Sequence, residues 1–153
     1  MNYPTTRLRR LRYNKSLRKL VSESSLNIND FVYPIFVCEG TGVVNEIKSM
    51  PGQYQLSIDQ LIIKIQEAIN VGIYAFILFP ISDIKDDDGY VSTTEKNILL
   101  KAVKKIKHKF KDILLIVDVC NCAYTNHGHC GVIHDNDVDN DLTIKNLALQ
   151  SVA

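Results

Sequence analysis

Residues 113–122, Ile113-Leu114-Leu115-Ile116-Val117-Asp118-Val119-Cys120-Asn121-Cys122, run an apolar stretch of strand length directly into a C-x-C pair. The segment 113–119 reads as a buried strand, because a strand covered on both faces carries apolar side chains at nearly every position. Two runs of the same kind precede it, at 31–37 (FVYPIFV) and 73–79 (IYAFILF). Pro34 counts against the first, since proline gives no N–H to a ladder. Helical patterns fill the gaps between the runs. Ser57 with Gln60 forms a capping-box pattern that opens a helix with Leu61, Ile62, Ile65, Ala68 and Ile69 on one face, stopped by Gly72. Ser92 with Glu95 repeats the pattern and opens a helix to about Phe110, with Ile98, Leu99, Ala102, Val103 and Ile106 as its apolar stripe. A last helix is predicted from near Asp141 (LTIKNLALQSVA).

Apolar strands alternating with helices predict an α/β fold with a parallel sheet. Both a doubly wound sheet and a (β/α) barrel meet that description, and periodicity does not choose between them. Ahead of the first strand, residues 1–30 form a basic lead-in, with Arg7, Arg9, Arg10 and Arg12 close together and one or two helical turns predicted over 16–22. Residues 31–153 form the sheet domain. The predicted final helix ends on Ser151-Val152-Ala153 with no cap, which reads as a domain interrupted within its third helix.

The chain has 153 residues, a net charge of +1 and 46% hydrophobic residues, enough for one domain with a true core. Near-neutral charge argues against a nucleic-acid protein. The arginine cluster is a local exception, and salt-insensitive binding would count against it as a nucleic-acid site. No apolar h-region follows the basic start, and the longest apolar run falls short of a membrane span of about 20 residues. The expectation is a soluble, cytoplasmic protein without membrane or nucleic-acid partners. In a reducing compartment, clustered thiols bind metal or do redox chemistry more often than they form disulfides.

Three of the four cysteines, Cys120, Cys122 and Cys130, fall within eleven residues, together with His127 and His129. On a strand, residues two apart share a face, so Cys120 and Cys122 converge from Cα atoms about 7 Å apart. Soft thiolates in this arrangement select zinc or a similar metal. The fourth position is either open, as in a catalytic site, or closed by His127 or His129. Inert buried thiols are the competing reading. Asp118 breaks the apolar strand at its carboxyl end, where barrel enzymes place active-site groups, though a loop-capping role is also open. Cys38 reads as a small core residue and His108 as solvated. His134 with Asp135 and Asp137 reads as a polar loop rather than a second metal site. Asp86, Asp87 and Asp88 lack the alternation of a calcium loop and read as solvated.

Residues 118–131, DVCNCAYTNHGHCG, resemble the zinc-type metal loop of the porphobilinogen synthase (delta-aminolevulinic acid dehydratase) family. The similarity extends to RLRRLR at 7–12, the strand at 31–37, Met50-Pro51-Gly52 and Val138-Asp139-Asn140-Asp141. An Asn-Pro-acid-Gly element found in many members is absent from 82–97. The resemblance implies a (β/α)8 TIM barrel, here an incomplete barrel of three βα units behind an N-terminal arm. It implies a lyase condensing two 5-aminolevulinate molecules to porphobilinogen in tetrapyrrole and haem biosynthesis. It further implies zinc on Cys120, Cys122 and Cys130, orienting the second substrate, with Asp118 lining the site and His127 and His129 as loop or active-site residues. Schiff-base lysines and a magnesium site are implied outside this chain, as is a homo-octamer in which the arm wraps a neighbour. Family members are roughly twice this long, so the chain alone is expected to be inactive. The alternative is a catalytically inactive zinc-binding or subunit-interaction protein.

Overall fold

A computed structural model describes residue 2 and residues 4–153. The chain divides into two compact units, residues 1–30 and 31–153. The first unit holds a 3-10 turn at Arg10–Arg12, helix α1 (Lys15–Leu20) and a 3-10 turn at Ile28–Asp30. Asn14 caps α1, its Oδ1 accepting from the Leu17 N–H at 2.8 Å. No described residue of this unit is buried, and Leu8, Leu11, Leu20 and Leu26 are exposed.

The second unit is built on a five-stranded sheet. Strands β1 (Val32–Cys38), β4 (Ala75–Ile81) and β5 (Leu114–Val117) lie side by side and parallel in chain order. Helix α2 (Ile58–Asn70) connects the first two and α3 (Ile98–Lys109) the last two. Two short strands extend the sheet beyond β1. β3 (Tyr54–Leu56) pairs parallel with Phe36 and Val37, and β2 (Val44–Glu46) pairs antiparallel with β3 across the turn at 50–52. These three-residue strands carry no periodic signal in the sequence. Because β3 runs beside only Phe36 and Val37, the flank of β1 at Pro34 is unpaired on that side, where proline is tolerated.

The helices cover one face of the sheet. Ile35, Val37, Phe76 and Leu78 point into a core closed by Leu61, Ile62, Ile65 and Ala68 of α2 and Ile98, Leu99, Ala102 and Ile106 of α3. The intervening residues, Pro34, Phe36, Ile77, Phe79 and Ile116, are apolar but only half-buried, and the Phe36 and Phe79 rings stack at 5.4 Å. The expected double coverage of the strands is thus met on one face only. β5 ends the sheet, with Leu114 and Val117 exposed.

Neither capping box forms. Ser57 occupies the N-cap of α2, but its hydroxyl accepts from the Val43 N–H (2.9 Å) and donates to Asp59 Oδ1 (2.6 Å), and Gln60 bonds Asp59 instead of reaching back. That hydroxyl is the main cause holding the Asp59 carboxyl below its ordinary range. At the second site Ser92 lies in a 3-10 turn, Tyr90–Thr93, and α3 starts only at Ile98. Asn97 is the cap, its Oδ1 accepting from the Leu99 N–H at 2.9 Å. Gly72, at φ 92°, ends α2 as expected. Cys38 is buried at the end of β1, as read from the sequence, and burial pushes its thiol up. The last helix, α4 (Asn140–Val152), is capped by Asp139, whose carboxylate accepts from the Leu142 N–H.

The loop at 134–137 is a tight hairpin between β6 (Val132–His134) and β7 (Asp137–Asp139). Asp135 and Asn136 both take positive φ, the primed turn that suits the twist of paired strands. His134 and Asp135 are exposed, at 3.4 Å from one another. His108 is exposed on α3.

Candidate metal centre

The sheet ladder stops short of the cysteines. The Asp118 N–H bonds the Leu78 carbonyl at 3.2 Å, and β5 has already ended at Val117. Cys120 and Cys122 therefore lie in a turn past the strand, and strand alternation is not what converges them. The Asn121 carbonyl accepts from the N–H groups of Tyr124 (2.8 Å) and Thr125 (3.1 Å), folding the chain back on itself. This brings Cys120 Sγ and Cys122 Sγ to 3.2 Å, and Cys130 returns so that all three sulfurs lie within 4.8 Å of one another.

The donor set fits zinc. Two thiolates at about 2.3 Å from one ion in tetrahedral geometry stand about 3.8 Å apart, and the sulfurs here lie within 4.8 Å of one another, with Cys120 and Cys122 at 3.2 Å. All four cysteines are free thiols. Burial, then hydrogen bonding and charge from Cys120 and Cys130, push the Cys122 thiol up to about 12. The Cys130 thiol is also raised, chiefly by its hydrogen bond to Cys120, with the Asp118 carboxylate a smaller contributor. Cys122 and Cys130 so placed resist ionising, and a bound cation reverses that preference.

His127 does not join the sulfurs. Its Nδ1 accepts from the His129 N–H (3.1 Å), which makes Nε2 the protonated nitrogen facing the Asp87 carbonyl at 3.0 Å. Among the described residues, the cluster close enough to hold a metal ion is Cys120, Cys122 and Cys130. Asp118 is half-buried and lines a cavity of about 190 Å³ with Asn97, Val117 and Gln150.

In the aspartate run Asp87 and Asp88 are exposed, as read from the sequence, but Asp86 is half-buried and braces the turn. Asp86 accepts from the N–H groups of Asp88 (2.9 Å), Tyr90 (3.0 Å) and Val91 (3.3 Å), capping the 3-10 turn. Its backbone exchanges bonds with the cysteine loop, Asp86 N–H to the Tyr124 carbonyl (3.1 Å) and Asn126 N–H to the Asp86 carbonyl (2.9 Å). The Asn126 amide reaches Asp87 Oδ1, and Asn146 of α4 donates to the Asp88 carbonyl. Gly89 makes the turn possible at φ +69°, buried against Asn121, Tyr124 and Thr125. A Cβ there would sit 3.4 Å from Thr125 Cγ2, so the cost of a side chain is mainly backbone strain. Gly89→Ala is expected to destabilise the chain by about 1–2 kcal/mol, the left-handed penalty for an L-residue. Urea denaturation reads this, and unchanged stability would show that the turn relaxes freely. Sequence reasoning missed the buried partners Asn97, Tyr124 and Gln150. Of these only Asn97 carried a local signal, an asparagine directly before an apolar stripe.

The fold and the site define an α/β protein with a parallel sheet that carries a three-cysteine cluster, suited to a metal, just past the carboxyl end of a strand. A family model described as delta-aminolevulinic acid dehydratase matches residues 5–153. The delta-aminolevulinic acid dehydratase of Helicobacter pylori is 48% identical over 147 residues, covering 95% of this chain and 46% of that protein. The Halalkalibacterium halodurans protein of the same name is 43% identical, covering 96% of this chain and 45% of its own. The crystal structure of delta-aminolevulinic acid dehydratase (porphobilinogen synthase) from Toxoplasma gondii ME49, in complex with the reaction product porphobilinogen, superposes with a TM-score of 0.91 at 36% identity, over 96% of this chain and 43% of that one. The chain belongs to the delta-aminolevulinic acid dehydratase family, and it spans about half the length of the relatives it matches.

Proposed function

We propose that this chain supplies the metal-binding part of a porphobilinogen synthase, a lyase that condenses two molecules of 5-aminolevulinate to porphobilinogen on the way to haem and other tetrapyrroles. The observation that carries the reading is the convergence of three thiols within 4.8 Å in a chain that belongs to this family. Cys120, Cys122 and Cys130 would hold zinc, which when bound supplies a Lewis-acid position for an oxygen or nitrogen of the second substrate. Asp118, at the end of β5, lines the substrate side, and its carboxylate offers an acceptor for a substrate amine or hydroxyl. The Schiff-base lysines are assigned to a region outside residues 1–153. Lys85 sits exposed in the loop after β4, Lys48 sits exposed in the turn between β2 and β3, and the remaining lysines fall in the arm, on helices or in the segments flanking them.

The architecture is read as part of a (β/α)8 barrel. Three features support it. Strands β1, β4 and β5 add in chain order, as consecutive barrel strands do. Helices α2 and α3 pack against each other on one face. The opposite face is apolar and half-covered, as a barrel wall is before its interior is filled. The exposed leucines of residues 1–30 are what a neighbouring subunit in an oligomer would cover. Among the described residues no helix is long and apolar enough to cross a membrane. Free thiols suit the reducing cytoplasm proposed as its location.

The test is porphobilinogen formation from 5-aminolevulinate. The 153-residue chain alone is expected to give none. A polypeptide corresponding to the other half of a relative, added in trans, is expected to restore turnover that depends on Cys122. Sustained turnover by the chain alone would overturn the division of the active site.

A further inference from the structure

The thiols sit on a turn, so no ladder fixes their spacing, and two polar contacts, one buried and one part-buried, hold that turn from either end. From α4, Gln150 donates through Nε2 to the Cys120 carbonyl at 3.2 Å. From the N-terminus of α3, the buried Asn97 accepts the Tyr124 hydroxyl proton at Oδ1, 2.9 Å away. Asn97 is itself fixed, donating to the Ser92 carbonyl (2.7 Å) and capping α3 through the same Oδ1. Cys122 lies between the two anchored points. Tyr124 is fully buried and its hydroxyl is held protonated, above all by burial.

Gln150 is costly where it stands. It is buried, and its Oε1 has no hydrogen-bond partner. An uncompensated buried carbonyl disfavours folding, so stability alone favours an apolar side chain of the same shape. Its amide N–H, aimed at the backbone of a thiol residue, gives the position another purpose.

We infer that Gln150 and Tyr124 are positioning residues, which set the Cys120–Cys122 turn in the geometry that lets the three sulfurs take one metal ion. This rests on the three-cysteine zinc reading given above. Groups that orient ligands from outside the metal shell change metal affinity by about 10–100-fold when removed. They do so without touching the ion.

The two variants are Gln150→Met, which keeps the volume and removes the donor, and Tyr124→Phe, which removes only the hydroxyl. Both are made in the full 153-residue chain. Zinc affinity is measured by chelator competition, and ligand geometry by the visible and thiolate charge-transfer bands of the cobalt(II) form. Each variant is expected to lose about ten-fold in zinc affinity and to shift the cobalt spectrum. The apo melting temperature of Gln150→Met should be unchanged or raised, which a merely structural role for its hydrogen bond would not give. Wild-type affinity and spectrum in both variants overturn the inference while leaving the zinc site intact. If the wild-type chain takes up neither zinc nor cobalt, the three-cysteine reading falls, and the inference falls with it.

Discussion

Cys122→Ser is expected to remove stoichiometric zinc from the chain, with an affinity loss of well over about 100-fold, beyond what removal of an orienting group costs. Cys122, like Cys120, is half-buried, and the two sulfurs stand 3.2 Å apart. The burial that pushes its thiol up to about 12 also strengthens its attraction to a cation once the proton is gone, because both effects follow from the low local dielectric. A serine hydroxyl is a hard, weakly acidic donor and does not replace a soft thiolate on zinc. Metal content after dialysis, together with chelator competition, reads the result directly. A Cys122→Ser chain that still carried one zinc, within about three-fold of the original affinity, would place the metal elsewhere.

Phe76→Ala is expected to cost about 3–5 kcal/mol. Phe76 is fully buried in β4, the strand between β1 and β5, and meets the Tyr33 ring edge-on at 6.5 Å. Alanine there opens a cavity beneath both α2 and α3, which share this part of the core. Against a typical total of about 5–15 kcal/mol, that is enough to leave a large unfolded fraction at body temperature. Urea denaturation followed by far-UV circular dichroism measures it. Phe79→Ala, on the half-covered face, should cost distinctly less in the isolated chain. Equal costs would mean that the two faces of the sheet are buried alike.

The order of strands and helices was legible because burial imposes it locally. Apolar runs at 31–37, 73–79 and 113–119 became β1, β4 and β5, and the stripes of α2 and α3 turned inward as read. Chemistry written into side-chain identity was equally legible, since three cysteines in eleven residues announce themselves wherever the chain runs. Features that depend on contacts distant in sequence were not. Ser57 and Ser92 match a capping box, yet Val43 and Asp59 claim the first hydroxyl, and the second serine lies in a separate 3-10 turn ahead of the helix, which starts only at Ile98. Asp86 looked solvated, because the N–H groups it caps and the cysteine loop it braces appear only when residues 86 and 124–126 meet.

The sequence by itself determined that this is a parallel α/β chain with a three-cysteine loop after its third long strand, because side-chain polarity and ligand chemistry are properties of single residues. Only the tertiary structure decided that the thiols converge on a turn rather than along a strand, and that Asn97, Tyr124 and Gln150 stand behind that turn. The reason is physical. A buried hydrogen bond is chosen by which partners the fold leaves unpaired, and residues 27 and 30 positions apart are matched by packing, not by their spacing in the chain.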